Sequence, residues 1–329
     1  MEPTHGQESL SVVIPFFNEE GNAGQLIAEL HDALEGLVMP WEVVAVNDGS
    51  RDATAEELDG SRRHFGRQVC VVNFARNFGQ TAAMQTGIDR ARGSLIVTMD
   101  GDRQNDPEDI PRLINYLIEN DLDMVSGWRK DRQDDVIRRK LPSRVANRLI
   151  RQTTGVDVRD SGCSLKIFRA HTIKQVVLMG EMHRFTSAWV ASVTDPSRIG
   201  EMAVTHRART VGSSKYGLSR TTRVILDLVV VLFFMRFSRR PGHFFGTLGL
   251  ASMAVSAALL MYTTIVLGAS GQPLTTTPGF VIGISLLFIS VQLLTAGVLA
   301  EILTRSGPSK AYPIRTETLN YEREWKRPE

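Results

Sequence analysis

Cysteine is almost missing from this chain. Cys70 and Cys163 are the only two, far apart and outside any CxxC. That argues against a disulfide framework and against a structural zinc site. No GxGxxG follows an apolar run and no GxxxxGK[ST] occurs, so neither a dinucleotide-binding turn nor a P-loop is supported. The N-terminus, MEPTHGQESLSVV, has no basic stretch ahead of a long apolar core, and no signal peptide is expected. The formal net charge is only +2, and no nucleic-acid partner is expected. The sharpest absence is local. From Phe244 to Ala300 there is no Asp, Glu, Lys or Arg. A bilayer-spanning helix needs about 20 apolar residues, and this stretch is more than twice that.

What is present is ordinary for a folded protein, with 22% charged and 43% apolar residues. The length of 329 residues allows roughly two domains. From about Ser9 to Gly127, short Val- and Ile-rich runs alternate with helical stretches. The runs LSVVIP, WEVVAV, VCVVNF, SLIVTM and DMVSG read as strands buried on both faces. Such alternation predicts a mostly parallel, doubly wound α/β sheet, whose ligands bind at the carboxyl ends of strands. PFFNEE, NDGS and DGDRQ all fall at such ends. CSLKIF and IGEMAVTH read as two further strands. In DDVIRRKLPSRVANRLIRQTTG, Ile137, Leu141, Val145 and Leu149 lie four apart among arginines, the pattern of a basic amphipathic helix broken or delayed by Pro142.

The C-terminal part reads as membrane-embedded. VILDLVVVLFFMRFSRRPGH is expected to lie in the interface, and Phe244–Gly268 and Gly279–Leu303 to span. Arg239 and Arg240 precede the pair; Arg305, Lys310 and Arg315 follow it. The positive-inside rule puts both flanks in the cytoplasm. The expected division is therefore 1–219 as a cytosolic catalytic domain and 220–243 as a juxtamembrane helix. Residues 244–303 would be two spans with a short outer loop, and 304–329 a cytoplasmic tail. Gly and Ala faces on the spans permit a homo-oligomer.

The chemistry begins at MDGDRQNDPED, residues 99–109. Asp100 and Asp102 lie two apart at a strand end and point the same way if extended. Two such carboxylates repel unless a cation lies between them, and oxygen ligands suit Mg²⁺ or Mn²⁺. Gln104 continues the spacing. The alternative is a solvated loop before an acidic helix start. Asp106 as N-cap, Pro107 at the first helical position, Glu108 and Asp109 fit that description. After the first two strands, Asp48 offers acceptors for a nucleoside and Gly49 a tight turn, although Asp52 and Thr54 fit simple helix caps.

Taken in order, PFFNE, NDGS, RNFGQTAAMQTG, DGDRQNDP and RARTVGSSKYG ahead of two spans resemble family 2 glycosyltransferases of the polyprenyl-phosphate type. The resemblance runs from Ser11 to about Tyr312. It implies a GT-A fold, a nucleotide-sugar donor with UDP favoured, a divalent metal, and a polyprenyl phosphate acceptor at the cytoplasmic face of the bacterial inner membrane. By motif, Pro15, Phe17, Glu19, Val46 and Asp48 correspond to the nucleoside pocket, with Phe17 standing where relatives usually have Tyr. Asn47 replaces a common Asp. Asp100, Asp102 and Gln104 correspond to the metal and diphosphate site. Arg129, Arg139 and Ser143 correspond to the acceptor-phosphate site, and Arg209 and Lys215 to cations that hold the diphosphate or lipid phosphate. Arg103 replaces a usual Leu and is expected to face solvent, a donor phosphate being the alternative. Within this scheme Asp102, Arg129, Arg209 and Lys215 carry catalysis. The lipid phosphate is ionised near neutral pH, so no carboxylate base is required; Asp160 is the fallback candidate. His183 reads as structural, with a sugar contact for it or Arg184 as the alternative.

Two other readings stay open. A processive polysaccharide synthase would share the nucleotide fold, but no QxxRW occurs and two spans leave little room for a channel. A non-catalytic membrane scaffold is disfavoured by the intact Asp100, Asp102 and Gln104.

Overall fold

Apolar residues that alternate along a buried strand supply both faces of a sheet, and helices must cover each face. The computed structural model, which describes residues 8–130, 156, 158–178, 182–207, 233, 237, 240–268 and 277–306, follows that rule. Its strands are β1 (Leu10–Phe16), β2 (Trp41–Asn47), β3 (Val69–Asn73), β4 (Leu95–Thr98), β5 (Met124–Arg129), β6 (Lys166–Arg169) and β7 (Ile199–Val204). They form one sheet in the order β3-β2-β1-β4-β6-β5-β7. Strand β6 runs antiparallel to β4 and β5, and the other pairs are parallel.

The helices between them are α1 (Ala23–Leu34), α2 (Thr54–Phe65), α3 (Gln80–Arg90) and α4 (Asp109–Glu119), followed by the short α5 (Ala170–Ile173) and α6 (Thr186–Val190). Val12, Ile14 and Phe16 of β1 pack with α1 and α4, whereas Val13 packs with α3 on the opposite face. Helix α4 shows why the pattern works. Ile110, Leu113, Ile114 and Leu117 recur at helical spacing and are all buried, each contributing about 1.5–3 kcal/mol. The helix proper begins at Asp109, later than the expected start at Pro107, and Asp106 caps the turn before it by accepting the Glu108 N–H at 3.1 Å.

The sheet belongs to a compact unit, Met1–Met235, and Arg236–Glu329 forms a second. The second unit holds α7 (Pro241–Gly268) and α8 (Pro278–Ser306), each long and apolar enough to cross a membrane. Both contain the expected spans. Their contact uses small residues and hydroxyls, a pattern common between membrane helices. Ser256 Oγ donates to the Gly283 carbonyl at 2.7 Å and Ser252 Oγ to that of Leu286 at 3.1 Å. Large side chains such as Met261, Tyr262, Phe288 and Leu303 point outward and are exposed. The basic helix expected around 134–155 and most of the interfacial segment 220–243 lie outside the described residues.

Candidate active site

The carboxyl ends of β1, β2 and β4 bring three loops together. Pro15 falls beyond the last β1–β4 pair, Val13 with Thr98, so its missing N–H costs no bond on that side. Phe16 is fully buried, whereas Phe17 is exposed at the rim. The loop after β1 is stitched to the loop after β2. Asn18 N–H donates to Ser50 Oγ at 3.0 Å, and Arg51 N–H returns a bond to Asn18 Oδ1 at 3.0 Å. Glu19 N–H donates to Thr54 Oγ1 at 2.9 Å, and the Glu19 carboxylate accepts from Asn22 Nδ2 at 2.8 Å. Glu57 of α2 accepts the Gly21 and Gly24 N–H groups at 2.7 and 3.0 Å, satisfying donors at the start of α1.

Asp48 is buried, and its carboxylate is committed to a third loop. Oδ1 accepts the Phe78 N–H at 2.7 Å; Oδ2 accepts the Gly79 N–H and Asn77 Nδ2, both at 2.9 Å. Gly49 has φ +67°, and a Cβ there would lie 2.3 Å from the Arg76 carbonyl carbon, so only glycine lets the two loops meet. Above them Phe78 is half exposed, with the Arg76 guanidinium 4.2 Å from its ring centroid. Among the nucleoside residues expected from sequence, Phe17 is exposed and Glu19 half-buried on the loop after β1. Val46 is fully buried against α3, and no face of its side chain is left for a nucleoside. Asp48 is committed to holding residues 77–79. Asn47 bonds to Asn73 Oδ1 at 2.9 Å and accepts the Ser50 N–H at 3.1 Å, again as a loop staple.

The acidic loop after β4 rests on Phe16: a Cβ at Gly101 would come within 2.6 Å of that ring. Asp100 accepts Gln80 Nε2 at 2.7 Å. Burial, and then the charge of Asp102, push its carboxyl up, against the pull of Ser164, Lys166 and Arg129. Asp102 Oδ1 accepts the Gln104 N–H at 3.2 Å. No group of three His, Cys, Asp or Glu side chains suited to a metal forms among the described residues. The two neighbouring carboxylates, one destabilised by the other, still fit a hard divalent ion that takes its remaining oxygens from water and a diphosphate.

Arg103 does neither of the things expected of it. It occupies a left-handed backbone position, φ 60°, and its guanidinium turns back onto α1, where it bonds to Gln25 and Glu29. The acids after it also do more than start a helix. Asp106 holds Arg207 through two bonds of 2.8 and 3.2 Å. Asp109 accepts the Thr205 N–H at 2.6 Å and pairs with Arg112 at 2.5 Å.

At the end of β5, Arg129 is clamped by Asp160. Nε and one terminal nitrogen donate at 2.7 and 2.9 Å, and both side chains are largely buried. Burial works to raise Asp160, but the bonds and charge of Arg129 outweigh it and hold the carboxyl below the usual range. A carboxylate committed in this way is a poor proton acceptor, which argues against Asp160 as the fallback base. Glu201 in turn fixes the Arg159 and Asp160 N–H groups at 2.8 and 2.9 Å.

Sequence reasoning missed Lys166. It is buried, bonds to the carbonyls of Ser161 and Cys163, and interacts electrostatically with Asp100 and Asp160. The available signal was a lysine set inside the apolar strand CSLKIF. His183 Nδ1 contacts Thr81 Oγ1 at 2.6 Å, joining α3 to the turn before α6. Arg139, Ser143, Arg209 and Lys215, and the side chain of Arg184, lie outside the described residues.

With this geometry in hand, comparison with known proteins is informative. The family described as Glycosyl transferase family 2 matches residues 11–178. A dodecaprenyl-phosphate galacturonate synthase of Rhizobium johnstonii is 53% identical over 90% of this chain and 88% of its own. An undecaprenyl-phosphate 4-deoxy-4-formamido-L-arabinose transferase of Edwardsiella ictaluri is 34% identical over 90% and 89%. Among solved structures, glucosyl-3-phosphoglycerate synthase of Mycobacterium tuberculosis, in complex with Mn²⁺, uridine diphosphate and glucosyl-3-phosphoglycerate, aligns with a TM-score of 0.54. It is 17% identical over 69% of this chain and 80% of that one, a likeness of fold.

Proposed function

This chain belongs to glycosyl transferase family 2 and is a glycosyltransferase, and from that premise we propose that it moves a sugar from a nucleoside diphosphate onto the phosphate of a polyprenyl phosphate. The observation that carries the proposal is the meeting of Asp100 and Asp102 at the end of β4 with Arg129 and Lys166 across β5 and β6, electrostatically in reach of one another. A reaction between two phosphate-bearing substrates needs such an arrangement of opposite charges.

Phe17, Glu19 and the 76–79 loop form the nucleoside rim. Asp100, Asp102 and Gln104 would hold Mg²⁺ or Mn²⁺ against the diphosphate. Bound there, the ion would neutralise charge on the departing nucleoside diphosphate. Arg129, fixed in direction by Asp160, presents a guanidinium for the acceptor phosphate, with Arg139 and Ser143 assigned to the same anion and Arg209 and Lys215 to the diphosphate. The acceptor oxygen is already ionised near neutral pH, so the site orients it and needs no base. In-line attack at the anomeric carbon inverts its configuration. A uridine donor is favoured, and the name of the 53% identical relative makes a galacturonate donor the first to test. The apolar α7 and α8, with arginines on their outer flanks, support a bacterial inner-membrane protein whose catalytic unit faces the cytoplasm.

The test supplies radiolabelled UDP-sugars, UDP-galacturonate first, to the full chain in detergent with a short polyprenyl phosphate and Mn²⁺ or Mg²⁺. Organic-extractable label is expected. No extractable product with any common sugar nucleotide would refute the proposal.

A further inference from the structure

Arg103, Glu29, Arg207 and Asp106 come from three distant parts of the chain and form one continuous line of ion pairs. Arg103 follows the acidic motif directly and holds one oxygen of Glu29 on α1. The other Glu29 oxygen accepts from Arg207 at 2.8 Å. Arg207 spends its remaining donors on Asp106, which lies three residues after Arg103. The two cations and two anions balance. All four side chains are partly buried, which strengthens each bond relative to water.

The backbone repeats the connection. Arg207 N–H donates to the Gln104 carbonyl at 2.8 Å, Asn105 bridges to His206, and Thr205 N–H bonds to Asp109. Three consecutive residues, 205 to 207, are thus each fastened to 104–109. Arg209 follows only two residues later.

We infer that Glu29 is a positioning residue for the donor diphosphate: it clasps the loop bearing Asp100 and Asp102 to the strand end that leads into Arg209 and Lys215. The inference rests on the proposed transferase reading and adds a residue to it. Glu29 contacts no substrate. It fixes the loop bearing Asp100 and Asp102, the acids assigned to the metal and diphosphate, against residues 205–207. Arg103, which departs from the usual Leu, acts through Glu29. Its backbone is left-handed, and its guanidinium lies on α1 at Gln25 and Glu29.

The experiment compares Glu29→Gln, Arg103→Leu and their double variant in the full chain in detergent. One readout is hydrogen exchange at the Thr205 and Arg207 amides. The other is the separate KM for UDP-sugar and for polyprenyl phosphate, with kcat. Glu29→Gln is expected to raise donor KM and speed exchange by about tenfold, with acceptor KM changed less than about twofold. The double variant should match Glu29→Gln alone, because Arg103 acts through that carboxylate. Unchanged exchange and donor KM in Glu29→Gln would overturn the clasp, and so would donor and acceptor KM rising together, the sign of general loosening. If the wild type turns over no donor, the transferase reading fails, and exchange at 205–207 still decides whether the clasp exists.

Discussion

Replacing Asp160 with Asn separates its two candidate roles. The substitution keeps the shape of the side chain and removes its charge. In the structure two charge-assisted bonds, at 2.7 and 2.9 Å, join it to Arg129, and both side chains are less than 15% exposed. Removing one partner of such a pair leaves the other charge poorly solvated. Fully buried pairs lose about 3–5 kcal/mol, and the residual exposure here lowers that to about 2–4. In a unit of this size each kcal/mol moves Tm by about 2–4 °C, so a loss of about 3 corresponds to roughly 6–12 °C. The pH dependence has a definite sign. Asp160 titrates below its unfolded value when folded, so its contribution is complete above the ordinary carboxylate range near ~4 and is lost as pH falls through the folded value. The gap between wild type and Asp160→Asn should be full at neutral pH and close in acid. Denaturation of the full chain followed by tryptophan fluorescence reads it, since one of the four indoles, Trp128, adjoins Arg129 and faces the Arg159 guanidinium 4.7 Å away. Transfer should survive in part. A stability equal to wild type, together with activity abolished across the pH range, would mean that Asp160 is a base after all.

Three further outcomes follow from the same geometry. Asp102→Ala should cut kcat/KM by about a hundredfold or more and weaken Mn²⁺ activation, and EDTA should do the same reversibly to wild type; turnover indifferent to both would remove the metal assignment. Gly49→Ala should destabilise the fold by about 2 kcal/mol or more and raise donor KM, because its methyl group meets the Arg76 backbone at 2.3 Å; denaturant midpoints and donor titrations measure both. Lys166→Met should lower stability by about 1–3 kcal/mol as the Ser161 and Cys163 carbonyls lose their donor, and reduce turnover by removing an amine that acts electrostatically on Asp100, while Lys166→Arg should recover part of both.

The strands were legible because their apolar runs are short, β-branched and bounded by turn residues, and each of the seven expected strands is present. The antiparallel β6 was not. CSLKIF reads the same in either direction, and only its pairing with both β4 and β5 sets the direction. Where a local pattern carries the expectation, as with Asp100 and Asp102, the structure places both on the loop after β4 with adjacent charges. Site residues were illegible where the partner is remote. Asp106 and Arg207 lie 101 residues apart, and nothing near Asp106 distinguishes an arginine's partner from a helix cap. Lys166 was passed over because a lone lysine in an apolar run is ordinarily an edge or snorkelling residue, and its burial depends on the 160–164 loop folding over it.

These failures share a cause, and it sharpens how the acids of such a site should be sorted. The loops at the sheet's carboxyl edge have few apolar residues and must be held by polar bonds. Several of their carboxylates are therefore staples: Asp48 holds residues 77–79, Glu57 the start of α1, and Asp106 and Asp109 the 205–207 strand end. A staple is stabilised by the folded protein itself, so its carboxylate has its cation or N–H donors before any ligand arrives. Asp100 differs in balance. It accepts Gln80 Nε2 at 2.7 Å, yet desolvation and the charge of Asp102 outweigh its donors and push its carboxyl up. A carboxylate that the protein alone leaves destabilised gains most from an added cation, because the binding relieves a repulsion the fold has already imposed. That criterion favours the proposed metal position at Asp100 and Asp102, whereas Asp48 is committed to holding residues 77–79.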